Sequence, residues 1–219
     1  MKHLLSIYGI SSNHEIVSYN TNIYTLYQEM FAENDPENMD ILQVLRSREK
    51  NETRKQIFDE IYSDILLIFD LDPHAPDFTP EKITEMQEYF TESSDMGKLY
   101  LNYPMVEAFY HMTGIPDYDY NSRTASIEEL KSYKTRVNKE NRNHDYSKFA
   151  VDKDECDIVL KQNIEKGFML TETNHQEILP DLNSILSCQL SKIMNEHSMY
   201  VLCTCSYYIV DYNSNFIPI

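Results

Sequence analysis

Glycine is scarce in this chain, with 4 among 219 residues and none in a G-x-x-x-x-G-K or G-x-G-x-x-G arrangement. Loops that cradle phosphates need residues without a Cβ where the backbone approaches the ligand. Their absence excludes a P-loop and a dinucleotide fingerprint. Tryptophan is absent, and positive charge is in deficit: 19 Lys and Arg stand against 36 Asp and Glu, a net charge of −17. Such a chain does not draw polyanions by long-range attraction. A nucleic-acid substrate, DNA or RNA, would need cations, a local basic strip or a partner to bring it in. No apolar run is long enough to span a membrane, and Met1 to Leu5 is too short for a signal peptide. The expectation is a cytoplasmic protein with no membrane partner. The four cysteines are Cys156, Cys188, Cys203 and Cys205. They form no Cys-x-x-Cys and have no spaced His partners, so they read as reduced, mostly buried thiols and not as a zinc site. No nucleophile elbow and no HExxH motif occurs.

What is present is a globular composition: 42% hydrophobic residues, with 17 Tyr and 9 Phe. Leu4, Leu5, Ile7 and Tyr8 make a helical stripe closed by Gly9. Glu15 to Tyr19 reads as a short strand. Asn20, Thr21 and Asn22 offer caps for a helix through Ile23, Leu26, Tyr27 and Met30. Ile41 to Leu45 begins another helix. Ile65 to Phe69 is a continuous apolar run, read as a strand buried on both faces. Thr79-Pro80-Glu81 starts a helix with cap, N1 proline and first-turn acid. Lys98 to Tyr103 reads as the next strand, and Met105 to Met112 as a helix. This alternation predicts an α/β fold with a parallel sheet flanked by helices over residues 1–114. Residues 115–219 read as a mainly helical extension, with helices at Ile127 to Val137, Cys156 to Met169 and Leu179 to Met194. Tyr200 to Tyr212 is either a late strand or a buried helix, with the β-branched and aromatic content leaning to strand.

The chemistry-bearing stretch is Asp64 to Asp77, DILLIFDLDPHAPD. Open α/β sheets place their sites outside the carboxyl ends of strands. Asp70 and Asp72 end the apolar run two residues apart, so a continuing strand puts them on one face. Two such carboxylates repel unless one is protonated or a cation bridges them, and Mg²⁺ (or Mn²⁺) accepts one or two carboxylates while keeping its waters. The plainer alternative is a turn in which Asp70 caps the next segment. His74 and Asp77 read as loop residues. Glu107, just after the next strand, is a candidate third ligand. Lys98 lies at the opposite strand end. The basic stretch Lys131 to Lys148, with Lys134, Arg136, Lys139 and Arg142, is the one segment suited to a phosphate backbone; its alternative is a solvated helix face.

Ile65 to Asp72 followed by a helix, with a strand leading to Pro104-Met105-Val106-Glu107, resembles the Toprim-type domains of bacterial defence proteins: OLD nucleases, RloB-like and abortive-infection proteins. Asn22 to Tyr27, Phe69 to Asp72 and Gly97 to Glu107 are similar to uncharacterised bacterial proteins of this type. The resemblance covers about the first half of the chain. It implies a metal-dependent nuclease in phage defence, with Asp70 and Asp72 holding Mg²⁺, Glu107 in support and an ATPase as partner. It also implies an earlier strand ending in Glu-Gly before a helix like Lys2 to Tyr8, and these 219 residues begin at that helix. A catalytically inactive Toprim-like partner or sensor module is therefore the alternative. A haloacid-dehalogenase-like phosphatase using Asp70 as nucleophile is a further one, since FDLD opens that motif too; there Pro73 and His74 replace the expected small residue and Thr.

Overall fold

The computed structural model describes residues 1–17, 22–32, 35–94, 96–172 and 177–217. By its internal contacts the chain forms two compact units, Glu15–Tyr100 and a second made of Met1–His14 with Leu101–Ile219. The division falls inside a strand and not at residue 114. The fold is mixed α/β, with helices flanking a sheet of mixed parallel and antiparallel pairing and a helical C-terminal region.

Helix α1 (Lys2–Ile7) opens the chain, and Gly9 follows it at φ +70°, the left-handed position that favours glycine. In the unit Glu15–Tyr100, Glu15 to Val17 are irregular and not a strand; Ser18, Tyr19, Asn20, Thr21 and Asn34 lie outside the described residues. Helix α2 (Ile23–Tyr27) starts where Asn22 Oδ1 accepts the Thr25 N–H at 3.1 Å, and a π-turn, Gln28–Ala32, continues it. Helix α3 (Ile41–Arg48) is capped by Asp40, and α4 (Glu52–Lys55) by Asn51. Then come β1 (Leu66–Asp70), α5 (Pro80–Tyr89), β2 (Thr91–Glu92) and β3 (Gly97–Tyr103). The Thr79 hydroxyl accepts the Lys82 N–H at 3.3 Å, so the cap and N1 proline read from sequence set the start of α5. β2 pairs antiparallel with β3, Thr91 opposite Lys98. Ile23, Leu26 and Met30 from the α2 segment and Ile83 and Met86 from α5 are fully or almost fully buried, and α2 packs on α5.

β1 departs from expectation. Among the described residues its strand neighbour is β3, in the order β1-β3-β2, so it ends the sheet and is not its middle. Only Leu67 within it is buried. A short apolar run cannot distinguish an end strand from a central one, because periodicity carries no information on how many neighbours pair with it.

In the other unit the segment after β3 is a 3-10 turn, Val106–Tyr110, instead of an α-helix. β4 (Thr124–Ser126) follows, then α6 (Tyr133–Glu140), six residues later than the helix read at Ile127. Helices α7 (Lys153–Thr171) and α8 (Leu182–Glu196) match expectation and pack together. β5 (Ser198–Tyr200) pairs antiparallel with β4, and β6 (Leu202–Cys203) with the end of β3, Asn102 opposite Cys203. Tyr207 to Val210 do not form a strand; Tyr208–Tyr212 is a short helix, α9, with Tyr208, Ile209 and Val210 buried. Helices occupy this unit's core through Val159, Leu160 and Ile164 of α7 and Ile185 and Leu186 of α8. Among the described residues no helix is long and apolar enough to cross a membrane.

Candidate metal site

β1 runs into the sequence Asp70-Leu71-Asp72. Leu71 is fully buried, whereas Asp70 and Asp72 are both exposed. Alternation about the buried leucine turns both carboxylates to solvent, at the end of the strand where the sequence placed them. Asp72 Oδ1 accepts the His74 N–H at 3.0 Å and its carbonyl accepts the Ala75 N–H at 3.2 Å. Asp72 thus holds the turn that follows β1 through His74 and Ala75, a capping role of the kind weighed for Asp70. Both roles fit one side chain, because the turn uses Oδ1 alone. The repulsion expected between the two acids at the end of a buried strand is weak here, since exposed carboxylates are hydrated. His74 and Asp77 are exposed loop residues.

Tyr24 belongs to the surroundings of Asp72 and was not visible as a candidate in the sequence. Its side chain is fully buried, with Phe78 edge-on to its ring at 5.9 Å, and its hydroxyl has no hydrogen-bond partner. Burial and the Asp72 charge hold its pKa above that of an ordinary tyrosine. No spacing rule marks Tyr24, because it occupies an inward position of an amphipathic helix like any core residue.

Glu107 lies in the other unit. Its Oε1 is 3.0 Å from Lys134 Nζ, its side chain is mostly buried, and its Oε2 has no hydrogen-bond partner. The structure therefore joins an expected metal ligand to an expected nucleic-acid contact, as an ion pair. Among the described residues no group of three or more His, Cys, Asp and Glu side chains is placed to hold a metal ion. The two carboxylates at Asp70 and Asp72 nonetheless suit Mg²⁺, which needs few protein oxygens and retains water. Its chemistry there would be to polarise a phosphoryl oxygen and orient water.

The basic stretch is largely spent on internal carboxylates. Arg136 Nε bonds Glu140 Oε1 at 3.0 Å, and its Nη1 reaches Glu129 and the Thr124 carbonyl. Arg142 makes a two-pronged pair with Glu155, at 2.7 and 2.9 Å. Lys134 pairs with Glu107, and Tyr146 donates to the Lys134 carbonyl. Lys139 is exposed. Arg136 thus meets acids within a turn or two of chain, whereas Lys134 and Arg142 meet acids 27 and 13 residues away.

The densest polar cluster joins α6 to residues the sequence left unmarked. Fully buried His111 sits with Nδ1 2.9 Å from the Tyr133 hydroxyl and Nε2 2.8 Å from Glu140 Oε2. Burial pushes the His111 pKa down to about 4, against the opposing effect of its hydrogen bond to Glu140. A neutral imidazole then donates from Nε2 to the carboxylate and accepts from Tyr133 at Nδ1. Burial raises the Glu140 pKa, but hydrogen bonds from His111 and Arg136 outweigh it and hold the carboxyl below its ordinary value. Arg123 adds a 2.6 Å pair to buried Asp117.

Comparison of the chain with protein-family models, with curated proteins and with solved structures finds no match in any of the three.

Proposed function

We propose that this protein is a Mg²⁺- or Mn²⁺-dependent, phosphodiester-acting enzyme of Toprim type, a cytoplasmic nuclease of bacterial phage defence. The observation that carries the proposal is the pair of exposed carboxylates, Asp70 and Asp72, flanking buried Leu71 at the end of β1. Asp70 and Asp72 bind the cation and Asp72 keeps the turn in place. The resemblance of Asn22 to Tyr27, Phe69 to Asp72 and Gly97 to Glu107 supports the defence setting and an ATPase partner. With a net charge of −17, the cation also supplies local attraction for a nucleic-acid phosphate that the chain lacks.

The second reading, a catalytically inactive partner or sensor module, is favoured by one specific observation. Arg136 and Arg142 are paired to carboxylates, and Lys134 is paired to Glu107 itself. Calorimetric titration with Mg²⁺ and Mn²⁺, together with cleavage assays on single- and double-stranded DNA and on RNA, separates the two. Asp72→Asn retains the oxygen that caps His74 and removes the charge. Under the first reading it weakens metal binding at least about tenfold and abolishes cleavage. Metal binding by the native protein with no cleavage of any substrate leaves the partner reading; absence of both overturns the metal site.

A further inference from the structure

Cys203 and Cys205 stand one residue apart where β6 gives way to the 3-10 turn Thr204–Tyr207. Both are about 1% exposed, and their sulfurs lie 3.4 Å apart. The backbone that carries them is held at successive points. The Cys203 N–H donates to Asn163 Oδ1 at 3.0 Å, and the Thr204 hydroxyl to the Leu101 carbonyl at 2.6 Å. The Cys205 N–H donates to Asn102 Oδ1 at 3.3 Å, and the Ser206 hydroxyl to the Cys203 carbonyl at 2.7 Å. Strand pairing also sets Cys203 opposite Asn102.

This construction holds two thiols against each other in the core. A thiol is a weak donor and a weak acceptor, so the S–H···S contact contributes little beyond packing. Its distinctive chemistry is oxidation. We propose that Cys203 and Cys205 are an oxidisable dithiol that closes to an intramolecular disulfide when the folded protein meets a peroxide. The thiolate of one cysteine attacks a peroxide oxygen; the O–O bond breaks, a sulfenic acid forms and hydroxide leaves to be protonated to water. The neighbouring sulfur attacks the sulfenyl sulfur, the S–O bond breaks, a second water leaves and the S–S bond forms. The two thiols lose two electrons and the peroxide gains them. The sulfurs close from 3.4 Å to a bond of about 2.05 Å by side-chain rotation.

Proximity decides the product. A sulfenic acid at either position has its resolving thiol already in contact, so the disulfide forms ahead of the irreversible sulfinic acid. The hydrogen bond to Cys205, together with burial, pushes the Cys203 thiol up. The attacking thiolate is therefore scarce at neutral pH, and oxidation is slow and faster in alkali. Cys156 is an internal contrast: it is equally buried, and its sulfur donates to the Ala150 carbonyl at 3.1 Å.

The test uses the full chain carrying Cys188→Ser, which removes the half-buried thiol outside the pair. The folded protein is exposed to hydrogen peroxide, quenched, denatured in N-ethylmaleimide, digested and analysed by mass spectrometry. The expected product is a peptide spanning Cys203 and Cys205 that lacks two hydrogens and carries no label, while Cys156 is labelled. Reduction before alkylation restores two labels to the peptide. Cys203→Ser leaves Cys205 at the sulfenic stage, trapped by dimedone. The proposal is overturned if the native peptide goes to sulfinic or sulfonic acid. It is equally overturned if either cysteine pairs with Cys156, or if both stay labelled under peroxide that forms the bond in urea-unfolded protein.

Discussion

His111 Nε2 lies 2.8 Å from Glu140 Oε2, and the imidazole is fully enclosed, with Tyr133 on its other nitrogen. A buried histidine between a hydroxyl and a carboxylate resists protonation, because the gain from the carboxylate does not offset lost hydration and the charges of Arg123 and Arg136.

That relationship sets a pH dependence. The folded pKa is about 4, below the 6.5 of an exposed imidazole. Between these values the unfolded chain binds the proton and the folded chain does not, so stability is complete above pH 6.5 and falls as pH drops towards 4. The loss approaches about 3 kcal/mol across that window, from the linkage of 1.36 kcal/mol per pKa unit. Urea unfolding measured between pH 7 and 4 should show the decline, and His111→Gln should flatten it. An unchanged slope in the variant would assign the decline to other groups.

Tyr24 offers a prediction of opposite sign. Its hydroxyl is buried without a partner, and a desolvated, unsatisfied polar group costs about 1–3 kcal/mol. Tyr24→Phe should leave stability unchanged or raise it by about 1 kcal/mol in metal-free buffer, read from the urea midpoint. Destabilisation beyond about 1 kcal/mol would mean that the hydroxyl has a partner in solution.

Gly167 in α7 is a packing constraint. A Cβ there would stand 2.5 Å from both Pro180 Cγ and Tyr207 Oη, and Tyr207 is held by a 2.8 Å bond to the Asn163 carbonyl. Gly167→Ala gains helix propensity but forces these groups apart, for a net loss of about 1–3 kcal/mol. Thermal melting should show it as a fall of several degrees; an unchanged or raised midpoint would show that Pro180 yields without cost.

Local chemistry accounts for what was legible in the chain. Asn22 and Thr79 cap helices because the cap and the N–H it accepts lie within three residues of each other. α7 and α8 were found from apolar spacing alone, and the strand at Lys98 to Tyr103 from its β-prone run. The candidate site was legible in part. Asp70 and Asp72 ending β1 is a local fact, and the structure keeps it. The capping role weighed for Asp70 falls in the structure on Asp72, which accepts the His74 N–H. That Glu107 meets Lys134 was not legible, since 27 positions of chain separate them.

By itself, then, the sequence determined the α/β class, the starts of α1, α2, α3 and α5, the acidic balance and the position of Asp70 and Asp72. Each of these depends on neighbours within a turn or two of chain, or on composition. The tertiary structure decided that β1 has β3 for its neighbour at the end of the β1-β3-β2 order, that Lys134 meets Glu107 and that Arg142 meets Glu155. It also decided that Tyr208–Tyr212 is helical and that Cys203 and Cys205 touch beneath Asn102 and Asn163 contacts. Those outcomes rest on which distant segments pack together, and burial energy is indifferent to sequence separation.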